Sequence, residues 1–152
     1  MLKDQEELLA AFNAHGVEYV VIGGHAVGAY GEPRLTKDLD IRIRSTPENA
    51  QRIFKALAEY GAPIAGYQPS DFFGRPGQVI QFGVPPNRID VLQAIEGVST
   101  EEAWRDRTIC FLDGGVQASV ISREHLIRNK KAVGRLQDLA DAAMLEKYGD
   151  TE

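Results

Sequence analysis

The chain has 152 residues, 43% of them hydrophobic and 26% charged, with 15 glycines, 7 prolines and one cysteine. That length suits one domain spanning residues 1–152 and excludes a second large one, since roughly 100–200 residues is the usual single-domain range. Seventeen Lys and Arg against 22 Asp and Glu give a formal net charge of −5, which excludes the broad basic footprint of non-specific nucleic-acid binding.

Other exclusions follow from single features. Cys110 has no partner for an internal disulfide, so nothing argues for an oxidising compartment. The opening run MLKDQEELLAAF carries acids where a signal peptide is basic, and no stretch nears the roughly 20 apolar residues of a membrane span. A soluble cytoplasmic protein with no membrane partner is expected.

Asp4 to His15 places Leu8, Leu9 and Phe12 at helical spacing before Gly16, predicting a first helix. Val17 to Ile22 is a short β-branched apolar run ending at Gly23-Gly24, as a buried strand entering a tight turn does. His25 to Tyr30 can form a short helix, and Gly31-Glu32-Pro33 breaks the pattern. Asp38 to Arg44 alternates apolar and charged residues, the period-two mark of a strand with one wet face.

Ser45 and Glu48 have capping-box spacing and Pro47 suits a first turn, predicting a helix to Tyr60 that closes at Gly61. Residues 62 to 77 read as an irregular connection. Gln78 to Val84 and Arg88 to Ala94 read as a hairpin joined through Pro85-Pro86-Asn87. Thr108 to Leu112 and Val116 to Ile121 read as a second, with Cys110 a buried apolar residue on it. Ser122 to Tyr148 is helical by pattern and divided by Gly134. This order of helices and strands predicts a mixed α/β domain with helices packed on one sheet.

Three features carry chemistry: the diglycine after a strand, Asp38 and Asp40 on one face of another, and Asp90 within Ile89-Asp90-Val91-Leu92. Alternate strand residues point the same way and lie about 6.5–7 Å apart, so their carboxylates can converge on a cation. Mg²⁺ takes oxygen ligands, often carboxylates together with substrate phosphates, and a third carboxylate would allow a two-metal clamp on a phosphoryl displacement. Backbone N–H groups at a glycine turn opening a helix form an anion site. Together these residues describe a nucleoside triphosphate held through metal and backbone.

The same residues admit plainer readings. A diglycine alone is usually a turn, and Asp40 could pair with Arg42 on a solvated strand face. Lys130, Lys131, Arg135, Asp138 and Asp141 could form an ion network on a helix surface. Asp90 in an apolar strand is harder to explain without a partner or a metal.

The arrangement resembles the nucleotidyltransferase superfamily, whose pattern is an apolar strand, Gly-Gly, a short spacer, Asp-x-Asp and a later single acid. Here it reads Val20-Val21-Ile22-Gly23-Gly24, Asp38-Leu39-Asp40-Ile41 and Ile89-Asp90-Val91-Leu92. The stretch Arg34-Leu35-Thr36-Lys37-Asp38 and the block Lys130, Gly134-Arg135, Asp138 and Asp141 are similar to small bacterial members related to abortive-infection (AbiEii-type) toxins. Gln137 stands where that subgroup has a basic residue.

The resemblance implies the DNA polymerase beta-like nucleotidyltransferase fold: a mixed sheet, helices on one side and a C-terminal helical pair. It further implies that Asp38, Asp40 and Asp90 are catalytic and bind Mg²⁺ or Mn²⁺, with Asp90 a base toward the acceptor. Gly23, Gly24, Arg34, Thr36 and Lys130 would bind the nucleotide, ATP or another NTP. The implied reaction transfers a nucleoside monophosphate to an acceptor, whether RNA such as tRNA, protein or a small molecule, and releases pyrophosphate. Implied partners extend to a second copy or an antitoxin-like protein. The alternative is a catalytically silent nucleotide-binding or partner-binding module on the same fold.

Overall fold

The computed structural model describes residues 1–31, 38–83, 87–112 and 115–148, and the backbone of 149–150. Its elements in chain order are α1 (Lys3–Ala14), β1 (Tyr19–Ile22), α2 (Gly23–Tyr30), β2 (Leu39–Ile43), α3 (Pro47–Tyr60) and a 3-10 turn (Pro69–Phe72). There follow β3 (Val79–Phe82), β4 (Ile89–Leu92), α4 (Thr100–Arg105), β5 (Thr108–Phe111), β6 (Gln117–Val120), α5 (Arg123–Val133) and α6 (Leu136–Asp150).

The strands form one six-stranded mixed sheet in the order β3-β4-β2-β1-β6-β5. Helices pack to one side of it, and α5 and α6 form a C-terminal pair, as the sequence predicts. Both hairpins are present as antiparallel pairs, β3 with β4 and β5 with β6. At the centre β2 runs antiparallel to β1 and parallel to β4. Leu39, Ile41 and Ile43 alternate along β2 and are buried in a core shared with Leu8, Leu9 and Phe12 of α1 and Ile53 and Leu57 of α3. Gly134, with φ 76°, closes α5 in the left-handed conformation and lets α6 fold back on it. No described helix is long and apolar enough to cross a membrane.

Four local expectations change. The wet face predicted for β2 is wet only in part: Asp40 is half-buried and Arg42 is only 3% exposed. It does not pair with Asp40. Its guanidinium donates to the carbonyls of Val98 and Ser99 and to Thr100 Oγ1, so a charge on a central strand reaches polar atoms of a covering loop. The cap of α3 is Thr46, whose side chain accepts from Asn49 N, while Ser45 bonds Gln93 and accepts from Gly74 N. Helix α4 lies where no element is predicted, opened by a reciprocal Ser99–Glu102 capping box. Cys110 is half-buried on an edge strand between exposed Ile109 and Phe111.

Candidate active site

The site is built at the point where β1, β2 and β4 lie side by side. Helix α2 starts at the diglycine itself, with Ile22 as its N-cap, so Gly23 and Gly24 supply the first backbone N–H groups of an eight-residue helix. Gly23 has φ 68°, and a Cβ there would stand 2.4 Å from Asp40 Oδ2. Both the backbone and the neighbouring carboxylate therefore demand glycine.

In the sheet Asp40 is opposite Ile22 on one side and opposite Asp90 on the other. Asp38 lies one step before β2, beside β4, where Leu39 N donates to Arg88 O. The three acids singled out in the sequence are thus brought to one spot by strand register.

A residue that sequence reasoning missed joins them. Arg88 Nη2 is 3.2 Å from Asp38 Oδ2, and its Nε is 3.1 Å from Asp90 Oδ1. The second contact is an ion pair without hydrogen-bond alignment, so Asp90 Oδ1 and Arg88 Nε, like Asp38 Oδ1, are buried without a hydrogen bond. The available signal was period two: Arg88 and Asp90 face the same way on one strand. Among the described residues Asp40 has no such ion pair. Burial, then the charge of and a hydrogen bond with Asp90, then the charge of Asp38, push its carboxyl up to about 6, with Arg88 opposing.

Asp40 faces a cleft of about 560 Å³ whose lining includes Gly23, Gly24, Lys130 and Arg135. Leu92, Ile95, Val133 and Pro76 supply an apolar wall. Lys130 of α5 is therefore brought to the same opening as the diglycine, from far along the chain. It is also part of the ion network that the sequence allowed as an alternative. Its Nζ is 3.4 Å from Asp138 Oδ1 and 3.2 Å from Asp141 Oδ2, and both carboxylates are 2% exposed. Arg135 Nε donates to Asp138 at 2.7 Å. That bond, with the nearby Lys130 and Arg135 charges, lowers the Asp138 carboxyl against the cost of burial. The ion network is present, but buried and not on a helix surface, and it fixes a cation at the cleft.

Other site expectations fall differently. Arg34 and Thr36 lie outside the described residues. His25 is a buried side chain of α2, 5% exposed. Among the described residues no group of three or more His, Cys, Asp or Glu side chains is positioned to hold a metal ion. The chemistry of the acidic cluster nevertheless fits a hard divalent cation. Its donors are all carboxylate oxygens, two of the acids keep a buried oxygen without a hydrogen bond, and the third is destabilised in its charged form by burial and by its acidic neighbours.

No family model matches the chain, and no curated protein matches it in sequence. Solved structures do match. The lincosamide antibiotic adenylyltransferase LnuA, solved with lincomycin bound, is similar with a TM-score of 0.61 at 14% identity, over 97% of this chain and 98% of that one. The antibiotic-resistance factor ANT(2'')-Ia gives 0.55 at 12% identity, over 97% and 88%. A candidate nucleotidyltransferase from Thermotoga maritima gives 0.55 at 14% identity, over 100% and 97%. Sheet order, C-terminal helical pair and these likenesses agree: the chain has the nucleotidyltransferase fold.

Proposed function

We propose that the protein is a metal-dependent nucleotidyltransferase that transfers a nucleoside monophosphate from an NTP to an acceptor and releases pyrophosphate. The observation that carries this reading is the position of Asp40. Its carboxylate is packed against the first residue of α2, is aligned with Asp90 across the sheet, and opens onto the cleft that Lys130 lines.

Asp38, Asp40 and Asp90 would hold Mg²⁺ or Mn²⁺, which when bound supplies charge stabilisation for the phosphoryl displacement. The N–H groups opening α2 would receive phosphate oxygens, because the unpaired donors and the helix dipole favour an anion there. Lys130, held by Asp138 and Asp141, would add a point charge to the triphosphate. In the transfer, an acceptor oxygen bonds to the α-phosphorus as the bond to the bridging oxygen of the β-phosphate breaks. The acceptor proton passes to Asp90 or to solvent, and pyrophosphate carries the displaced electrons away. Positioning and electrostatics supply most of the acceleration in such a site.

A small-molecule acceptor is the reading favoured among RNA, protein and small molecule. The cleft volume lies within the roughly 300–1,000 Å³ of small-ligand sites, and LnuA, an adenylyltransferase for a small antibiotic, is matched over nearly its whole length. The finer kinship with abortive-infection toxins, and with it an antitoxin-like partner, rests on Arg34, Thr36 and the Lys130 to Asp141 block alone.

A catalytically silent module is favoured by one observation, the pairing of Arg88 with both Asp38 and Asp90. The test is labelled NTP with Mg²⁺ or Mn²⁺ and a panel of acceptors. Label transfer by the native protein, lost in Asp38→Ala and Asp40→Ala, is expected. Equal labelling by all three proteins refutes the assignment, and nucleotide binding without transfer to any acceptor supports the silent module.

A further inference from the structure

We infer that Arg88 is a built-in counter-cation of the acidic centre, which holds the metal-free site together and defers uptake of the divalent cation until nucleotide arrives. This rests on the assignment of Asp38, Asp40 and Asp90 to a nucleotide and metal site.

Arg88 is placed by the sheet. Its carbonyl accepts from Leu39 N, which fixes its backbone beside Asp38, and the strand alternation aims it to the same side as Asp90. Its guanidinium straddles two carboxylates instead of gripping one. A bidentate fork on a single carboxylate would satisfy both oxygens. Here Asp38 Oδ1 and Asp90 Oδ1 stay buried without a hydrogen bond. The arginine therefore balances charge without completing the coordination of the acids, which is the task of a placeholder.

Two consequences follow from the charges. With Arg88 in place a dication must compete for the oxygens of Asp38 and Asp90 against a positive charge about 3 Å away. Among the described residues no other side chain forms an ion pair with these acids, so with Arg88 removed three carboxylates face one another. A triphosphate changes this balance, because its negative charge offers the guanidinium a second partner. The Arg88 side chain is 34% exposed, which leaves it room to turn toward that partner. Metal and nucleotide should then bind with strong positive coupling.

The test is calorimetry on EDTA-stripped protein with Mn²⁺ alone and with Mn²⁺ plus a non-hydrolysable NTP, together with melting curves, for native protein, Arg88→Gln and Arg88→Lys. Arg88→Gln should bind Mn²⁺ alone roughly tenfold or more tighter than native protein, since an adjacent charge typically shifts such an equilibrium by 10- to 1,000-fold. The difference should shrink once nucleotide is present. Stripped Arg88→Gln should melt lower than native protein and be restored by Mn²⁺, and Arg88→Lys, which keeps the charge and the fold, should lie between. Native affinity for Mn²⁺ alone in both variants overturns the role of Arg88 while leaving the site assignment standing. Failure of native protein to bind Mn²⁺ even with nucleotide overturns the assignment and this inference together.

Discussion

Asp40 is expected to weaken the fold that carries it. Its carboxyl moves from an ordinary value of 3.8 up to about 6 through burial and the neighbouring Asp90 and Asp38. The folded state therefore binds its proton more tightly than the unfolded state does. Stability contributed by the protonated form is fully present below pH 4, and it is lost as the pH rises through about 6. At about 1.4 kcal/mol per pH unit, the upper bound is about 3 kcal/mol. Solvent at the cleft reduces this to about 1–2 kcal/mol. Asp40→Asn removes the charge and keeps the shape. In EDTA-stripped protein at pH 7 it should stabilise the fold by about 1–2 kcal/mol, or raise the melting temperature by about 2–8 °C for a chain of this size. At pH 4 the two proteins should differ little. Urea denaturation at pH 4, 5, 6 and 7 makes the comparison. An Asp40→Asn protein that is less stable than native at pH 7, or a gap that does not widen with pH, refutes the reasoning.

Gly23→Ala should be destabilised by about 1–2 kcal/mol for its left-handed backbone and should also lose transfer activity, because the new Cβ displaces the Asp40 carboxylate; near-native activity would show that Asp40 need not stand where it does. Lys130→Ala should weaken NTP binding about tenfold, read by calorimetry, since the cation lines the cleft, and should also destabilise the fold, because the buried Asp141 carboxylate loses its lysine while Arg135 still pairs Asp138; unchanged affinity would make the network purely structural. Arg42→Ala should cost about 2–4 kcal/mol in urea denaturation, because Val98 O, Ser99 O and Thr100 Oγ1 lose a buried donor; a loss below about 1 kcal/mol would mean that water replaces the guanidinium.

Local pattern made most elements legible. The helical spacing of Leu8, Leu9 and Phe12, the β-branched run before Gly23 and the break at Gly134 each act within one element, and each element forms as the pattern predicts. The alternation of β2 misled about its environment because alternation reports charge, not exposure. A central strand covered on the Arg42 side by the 98–100 loop buries its charge by hydrogen-bonding it. The capping box that opens α4 was present as Ser99-Thr100-Glu101-Glu102 but stood before only a short apolar pattern.

The acids of the site were recognisable as a set, yet what each one touches was not. The pairing of Asp40 with Asp90, and the placement of Arg88 between Asp38 and Asp90, depend on the register of two parallel strands that are far apart in the chain. Lys130 reaches the cleft only because α5 packs beside the first residues of α2. Such placements are properties of the assembled sheet, and no local spacing encodes them.

The central claim is that Asp38, Asp40 and Asp90 form one metal and nucleotide centre beside the start of α2. Anomalous diffraction from crystals soaked with Mn²⁺ and a non-hydrolysable NTP tests it most directly. The account predicts manganese bound by those carboxylates, with the triphosphate extending from the Gly23-Gly24 backbone toward Lys130. Manganese and nucleotide bound elsewhere, with Asp38 and Asp90 still paired to Arg88, would contradict it.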